Sequence, residues 1–435
     1  MKLNLRFPLL TLLVVAGLAS CKTEDPVVPP ADMRVTLTYD TNLSSQPAEM
    51  AEVVLTSVGT GEKLTAVTNA SGVAEFKQIA VGTYNLTAKR QFTADAYRQF
   101  TGLTVAAPVL FQASMQSIVL TSMQGNTQTL VLKAGATGDW VIKQLYYAGS
   151  DRTDGALFRD QFIELYNNSD TLRYADGLYF AQLDGNRSIP AGTRPVFLLP
   201  SNQYDWSKSI GMPGTVKAND DFVYTRTLFQ LPGTGRQYPV EPGKSVVIAQ
   251  TALNHKAPFT GNDGKAITAK NPDLTIDLSK ATFEAFFGRG LDSDIDNPAV
   301  PNIRVIQPFG TDMILDNSGR DGYAVFRSAT DAADLPKYPR PNTTAITTNT
   351  DYFYQIPKRL LLDAVECQES PSKLIPRKLT DELDAGYTFT PKGSFTSQAV
   401  IRKVARTFGT RRVLQDTNNS TDDFQPIDRP KPFEF

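Results

Sequence analysis

One histidine and two cysteines in 435 residues leave little from which to build the common catalytic and metal centres. A site with several histidine ligands is excluded, and any histidine-based triad would rest on His255 alone. That residue stands in Thr251-Ala252-Leu253-Asn254-His255-Lys256, a polar segment that predicts an exposed loop histidine. There is no G-x-S-x-G elbow, no P-loop and no dinucleotide fingerprint. Gly233-Thr234-Gly235-Arg236 is a bare G-x-G, the mark of a loop turn. Charge of one sign is also missing: 44 Lys and Arg face 45 Asp and Glu, spread along the chain. Such a balance gives no electrostatic footprint for nucleic acid. Beyond the first twenty residues no apolar run approaches the roughly 20 residues that a membrane-spanning helix needs.

The one long apolar run, Phe7 to Leu18, follows the positive Lys2 and Arg6 and is itself too short to span. It ends in Leu18-Ala19-Ser20-Cys21, which resembles the bacterial lipobox. The resemblance implies that residues 1–20 are a signal peptide cut before Cys21. The cysteine thiol would then carry a diacylglycerol and the new amino group a further acyl chain. Together these anchor far better than one chain does. Residues 22–32 hold three prolines and three acids, cannot bury a core, and form an extended tether. Lys22-Thr23-Glu24-Asp25 resembles the charged export tag of surface lipoproteins of Bacteroidota. It implies an outer-membrane protein facing outward, the alternative being a periplasm-facing lipoprotein. With lipid on Cys21, Cys367 is the one free cysteine and no intrachain disulfide can form. Its setting, Leu360-Leu361-Leu362-Asp363-Ala364-Val365-Glu366-Cys367, predicts a buried, inert thiol.

A mature chain of this length predicts two or three domains. Gly, Pro, Thr, Asn and Asp punctuate short alternating apolar runs, so the expected fold is mainly β, built as sandwiches. Residues 33–135 form the first unit. Met33-Arg34-Val35-Thr36-Leu37-Thr38-Tyr39 alternates as a half-buried strand does, and Val53 to Ser57 and Thr129 to Leu132 read as further strands. The stretch Thr68-Asn69-Ala70-Ser71-Gly72-Val73-Ala74-Glu75-Phe76, followed by Val81-Gly82-Thr83-Tyr84-Asn85-Leu86, resembles the hairpin of prealbumin-like modules. Those modules are related to Cna-B repeats and carboxypeptidase regulatory domains. The likeness implies a tight turn at Gly72, with Phe76, Tyr84 and Leu86 facing the core.

Residues 139–427 form a larger second unit, and 428–435 a C-terminal tail. Trp140 to Tyr147, Phe162-Ile163-Glu164-Leu165-Tyr166-Asn167 and Val240-Glu241-Pro242-Gly243-Lys244-Ser245-Val246-Val247-Ile248-Ala249 resemble the lamin-tail immunoglobulin-like domain. Its closing strands would be Met313 to Gly319, Tyr323 to Phe326 and Leu361 to Glu366. The Asp416-Thr417-Asn418-Asn419-Ser420 ending resembles that of exported proteins bearing this domain. The region is about twice the roughly 100-residue sandwich, so insertions are expected near 185–240, 253–300 and 328–358. Together the two units resemble an uncharacterised outer-membrane lipoprotein family of Bacteroidota, and that likeness supplies no chemistry.

Candidate ligand-binding residues are few. Asp292, Asp294 and Asp296 alternate like the first ligands of a Ca²⁺ loop. The sixth position is Asn297 and the twelfth Ile303, so an EF-hand is excluded and only a looser Ca²⁺ site remains. No other cofactor is expected. Asp416, Asp422 and Asp423 read as turn caps, and Glu164 as part of a structural strand. Tyr204, Trp206, Phe222 and Tyr224 lie in the 185–240 insertion with no obvious core strand. Exposed, they would stack on sugar rings or anchor a partner; otherwise they pack the insertion onto the sandwich. The expectation is a non-enzymatic binding or accessory lipoprotein, tethered to the membrane and serving a TonB-dependent receptor or capturing glycan. The competing readings are a hydrolase that uses Asp and Glu alone and a structural spacer.

Overall fold

The computed structural model describes residues 29–39, 46–101, 109–122, 126–135, 139–169 and 171–435. Cys21, the signal peptide and most of the tether lie outside the described residues. What is described is nearly all β.

In the first unit the strands are β1 (Ala31–Tyr39), β2 (Glu52–Ser57), β3 (Lys63–Val67), β4 (Val73–Ile79), β5 (Gly82–Phe92), β6 (Val109–Leu120) and β7 (Asn126–Gly135). They form one sheet in the order β3-β2-β5-β6-β7-β1-β4, with β1 parallel to β7 and antiparallel to β4. The alternation of β1 is realised: Met33, Val35, Leu37 and Tyr39 are buried and meet Val53, Leu55, Leu86 and Leu132 in one core. Phe76, Tyr84 and Leu86 point inward as the hairpin pattern implies. A short helix, α1 (Ala94–Thr101), sets Tyr97 and Phe100 among Tyr39, Phe92 and Phe111.

Gly72 shows why a glycine is needed in that hairpin. Its φ is +71°, and a Cβ there would stand 2.3 Å from the Leu37 carbonyl oxygen. That contact exists because the Leu37 N–H donates to the Gly72 carbonyl at 2.7 Å, fastening the turn against β1. Gly72→Ala should therefore cost about 3 kcal/mol through backbone strain and displacement of β1. A thermal or urea unfolding curve displaced by less than about 0.5 kcal/mol would contradict this.

The second unit is a sandwich of two sheets. One holds β8 (Trp140–Tyr146), β9 (Phe162–Asn167), β14 (Ser245–Ala249), β17 (Phe283–Glu284), β23 (Gln398–Arg402) and β26 (Phe424–Asp428), in the order β17-β14-β9-β8-β23-β26. The other runs β20 (Lys337–Tyr338), β21 (Phe353–Pro357), β12 (Phe222–Gln230), β11 (Tyr179–Leu183), β19 (Gly322–Phe326) and β22 (Leu361–Glu366), with β18 (Arg304–Gln307) also beside β12. Three short ribbons complete it: β10 (Arg173–Tyr174) with β13 (Pro239–Val240), β15 (Phe259–Thr260) with β16 (Ala266–Ile267), and β24 (Val404–Phe408) with β25 (Arg411–Leu414). Trp140, Ile163 and Ile248 of the first sheet meet Phe180, Phe229, Tyr323 and Val325 of the second, and Cys367 is buried among them.

The expected insertions are not loops laid outside the strands. Residues 185–240 contain the nine-residue β12, central in its sheet, and 328–358 contain β20 and β21. Residues 253–300 cover the outer face of the first sheet, where Ile276, Leu278 and Ala281 pack on Tyr146, Phe162 and Val247. Tyr179, Leu183 and Val223 lie under a second cover that includes Ala332 and Leu379. Strands buried on both faces lose the polar alternation that marks a half-exposed strand.

Two expectations are corrected. Met313 to Gly319 is not a strand. Met313 and Leu315 still enter the core, and Gln161 takes the place of a ladder partner, donating to the Leu315 carbonyl at 3.0 Å and accepting its N–H at 2.9 Å. His255 is not exposed: the 253–300 segment folds back over the sheet and leaves it 2% accessible. Its Nε2 lies 3.0 Å from the Thr251 carbonyl, and burial pushes the imidazole down to about 4, so it is neutral at pH 7.

Candidate binding groove

A groove of about 700 Å³ is walled by both units. From the first unit come Met115, Gln116, Ser117 and Val131. From the second come the 199–206 segment, the start of β12 and the loop 374–382.

The first wall owes its shape to a bulge. Tyr84 pairs with Ile118 but Leu86 pairs with Met115, so β6 carries one extra residue at Gln116–Ser117. Ser117 sits at φ +57°, and its N–H donates to Asn85 Oδ1 at 3.0 Å. Bulges of this kind re-aim side chains, and a non-glycine residue at positive φ persists only where its surroundings hold it. Beyond Gln112, β6 leaves β7, and its free edge meets the second unit. Ser114 donates from its N–H and Oγ to Asp381 at 2.7 and 2.9 Å, and Gln112 Nε2 reaches the Asn418 carbonyl at 2.6 Å. These bonds fasten the two units where the groove runs between them.

Gln203 shapes the second wall. Its Oε1 accepts the Tyr204 N–H at 3.0 Å, and its Nε2 donates to the Pro376 carbonyl at 3.1 Å, joining the two loops. Asn202, in the same turn, has φ +62°. Behind it the aromatic residues form a small core. Trp206 stacks on Tyr224 with centroids 3.7 Å apart at 8°, Tyr204 meets Trp206 edge-on, and the Tyr224 hydroxyl donates to the Ala218 carbonyl. Trp206 and Tyr224 are each 3% exposed, and Phe222 is half-buried at the groove's margin. Tyr204, Trp206 and Tyr224 are therefore packed rather than exposed, with Phe222 half-buried beside them, because β12 carries Phe222 and Tyr224 into the sheet. Their indole and phenol faces are turned to one another.

Several charged residues in the groove are engaged by neighbours. Asp184 receives a two-pronged contact from Arg340 at 2.9 and 2.6 Å, and Lys358 donates to Glu382 at 3.0 Å and to Thr380 at 2.8 Å. Arg377 gives Nη1 to Asp381 Oδ1 and Ser114 Oγ, both at 3.0 Å.

The remaining sequence candidates lie elsewhere. Asp294 is buried and accepts the Phe287 and Gly288 N–H groups, Asp296 is exposed and accepts from Asn302, and Asp292 is exposed. The three do not converge, and among the described residues no group of three or more His, Cys, Asp or Glu could hold a metal ion. Glu164 is fully buried, paired with Lys143 at 2.8 Å and with Gln144 at 3.0 Å. Asp423 caps the turn through Thr417 at 2.8 Å, as expected for that ending, and also meets Arg402. Sequence reading missed Arg377, Asp381, Ser114 and Gln203, which lie in segments with no motif.

A family of proteins of unknown function, DUF4876, matches residues 241–431. Among solved structures, a DUF4876 family protein from Bacteroides thetaiotaomicron is 22% identical, with a TM-score of 0.52 over 93% of this chain and 98% of that one. The likeness shows a shared fold. Two further solved structures resemble it only weakly. Fervidolysin from Fervidobacterium pennivorans, a keratinolytic enzyme related to subtilisin, is 14% identical at TM-score 0.19, over 51% of this chain and 29% of its own. A DUF3823 family protein from Parabacteroides merdae is 12% identical at TM-score 0.15, over 47% of this chain and 92% of its own. No curated protein matches the chain.

Proposed function

We propose that this chain is a non-enzymatic binding lipoprotein of the bacterial outer membrane, held outward by lipid on Cys21, and that it captures glycan in the groove between its units. A TonB-dependent receptor would then take the captured ligand onward. The observation that carries the reading is the groove itself. Two units with cores of their own are fastened by Ser114, Gln112 and Asp381, and the bulge at Ser117 is held in an unfavoured conformation on the groove's wall. Concave sites of about this volume with apolar walls and a few directed polar groups are the usual form of a small-ligand site. Val131 and Ile189 line it from opposite units and remain 45% and 61% exposed.

Those two residues supply the test, because neither belongs to a core. Val131→Asp and Ile189→Asp should leave the unfolding temperature unchanged within about 2 °C, since exposed substitutions typically move stability by under 0.5 kcal/mol. Each should weaken retention of envelope polysaccharide about tenfold in affinity electrophoresis. Failure of the unaltered chain to retain any glycan, or equal retention by both variants, would overturn the reading.

A further inference from the structure

We infer that the second unit holds an anion site, sharing no residue with the groove, where Lys143, Lys244 and Arg412 take an organic phosphate monoester once the Phe435 ring swings aside. The site is a hollow of about 320 Å³ on the first sheet of the sandwich, lined by these three cations and by the rings of Tyr166, Phe433 and Phe435. No carboxylate lines it. Lys143 comes from an irregularity in β8: Ile142 pairs with Leu165 and Gln144 with Glu164, so Lys143 is the extra residue of a bulge. Bulges re-aim a side chain, and they gather beside functional sites. The Lys143 ammonium lies 4.0 Å from the centre of the Phe435 ring, and the Arg412 guanidinium lies 4.1 Å from it. The β24–β25 ribbon is held in place over β9. The Tyr166 hydroxyl donates to the Arg412 carbonyl at 2.7 Å, and Arg411 Nη2 donates to the Asn168 carbonyl at 3.1 Å. Lys244 stands exposed just before β14.

The charges around this hollow do not balance. Glu164, fully buried below, pairs with Lys143 at 2.8 Å and also accepts from Gln144 and Ser245, so it offsets one of the three positive charges and leaves two. Glu434 pairs with Lys431 at 3.3 Å. Among the described residues neither Lys244 nor Arg412 forms an ion pair with any carboxylate. Burial pushes the Lys143 ammonium down from its ordinary value; Glu164 opposes this and Arg412 adds repulsion. An oxyanion that reaches these cations together would relieve that repulsion, and it gives each a charge-assisted hydrogen bond, stronger than the face of a ring. The ring is 47% exposed, so it can leave without opening a core. A phosphate monoester fits the count: it carries about −2 and three terminal oxygens, whereas a carboxylate or a sulfate ester carries a single charge. Tyr166 and Phe433 offer apolar surface to its organic part.

The test titrates the full chain at pH 8 and low salt, by calorimetry, with glucose 6-phosphate, glucose 6-sulfate, glucose and inorganic phosphate. Glucose 6-phosphate should bind about tenfold more tightly than the sulfate, which has the same shape and one charge fewer. Glucose should not bind, and inorganic phosphate, lacking the organic part, should bind about threefold more weakly than the ester. Lys244→Gln and Arg412→Gln should each weaken the ester about tenfold. Both side chains are exposed, so the unfolding temperature should stay within about 2 °C. Phe435→Ala removes the competing ring and should strengthen binding about threefold, which a ring with a purely structural role would not do. Absence of binding by glucose 6-phosphate, equal affinity for the sulfate, or unchanged affinity in both glutamine variants would overturn the site. Inorganic phosphate binding as tightly as the ester would overturn the assignment to an organic phosphate. Unchanged or weaker binding by Phe435→Ala would overturn the part given to the ring.

Discussion

Replacing Arg402 with methionine should cost about 3–5 kcal/mol, enough to leave the second unit unfolded or nearly so. Arg402 ends β23 with a side chain 2% exposed. It meets Asp363 of β22 at 2.6 Å, and Asp416 and Asp423 at 3.2 Å each. Its Nε donates to the Ile142 carbonyl of β8 at 3.0 Å, and its guanidinium lies over the Phe424 ring at 4.6 Å. One cation thus joins strands of both sheets to the Asp416–Asp423 turn. Methionine would fill much of the volume but leave buried carboxylates with no compensating charge, the case in which breaking a buried ion pair is most destabilising. Desolvation already pushes Asp423 up to about 6. Without the arginine Asp363 and Asp423 should titrate higher still, so the loss should be larger at pH 8 than at pH 5. Arg402→Lys keeps the charge but reaches fewer partners and should restore part of the stability. Urea unfolding at the two pH values measures all of this. A methionine variant within about 1 kcal/mol of the unaltered chain would show that the network is not what holds the sheets in register.

How much of this was legible depended on whether a strand keeps one face in water. In β1 it does, and Met33, Val35, Leu37 and Tyr39 announce their buried side by alternation. In β12 neither face is wet, so Phe222 to Gln230 reads as an unpatterned run within an insertion. The same ambiguity left Tyr204, Trp206, Phe222 and Tyr224 with two readings, exposed anchors or packing of the insertion; Tyr204, Trp206 and Tyr224 form a buried cluster that Phe222 packs against, and Trp206, Phe222 and Tyr224 also border the groove. The groove was only faintly legible. The apolar rhythm of β6 runs Phe111, Ala113, Met115 and then slips by one to Ile118 and Leu120, which is the trace of the bulge at Ser117. Arg377 and Asp381 left no trace, because their pairing with Ser114 spans more than 260 positions. His255 misled for the opposite reason: Asn254 and Lys256 beside it look like solvent-facing loop, yet the fold of residues 253–300 turns the ring inward.

Asp312 should make the chain less stable as pH rises from about 4 to 7, and Asp312→Asn should remove much of that slope. The carboxyl is 1% exposed, and burial pushes it up to about 7, with Asp294 and Glu284 nearby adding repulsion. An acid whose folded value exceeds its unfolded value, near 3.8, keeps a proton that the unfolded chain releases. Its stabilising contribution is complete below about 4, declines through the interval, and is gone above about 7. A shift of that size corresponds to roughly 4 kcal/mol across the window. Glu284, pushed up to about 7, acts with the same sign from about 4.5 upward. His255 acts oppositely, because its folded value lies below 6.5, so its contribution is full above that pH and falls away toward about 4. The two trends place the stability maximum in mildly acidic solution. Asparagine suits the site: Asp312 accepts from Gln250 Nε2 and the Met313 N–H at 2.6 Å each, while Gln250 Oε1 is buried without a partner. After rotation of the Gln250 amide, the introduced side-chain amide can donate to that oxygen and still accept from Met313. The variant should therefore match the unaltered chain near pH 4 and exceed it by up to about 4 kcal/mol at pH 8. Urea midpoints taken at one-unit steps decide the matter. Parallel profiles for the two proteins would mean that Asp312 is ionised in the folded chain throughout this range.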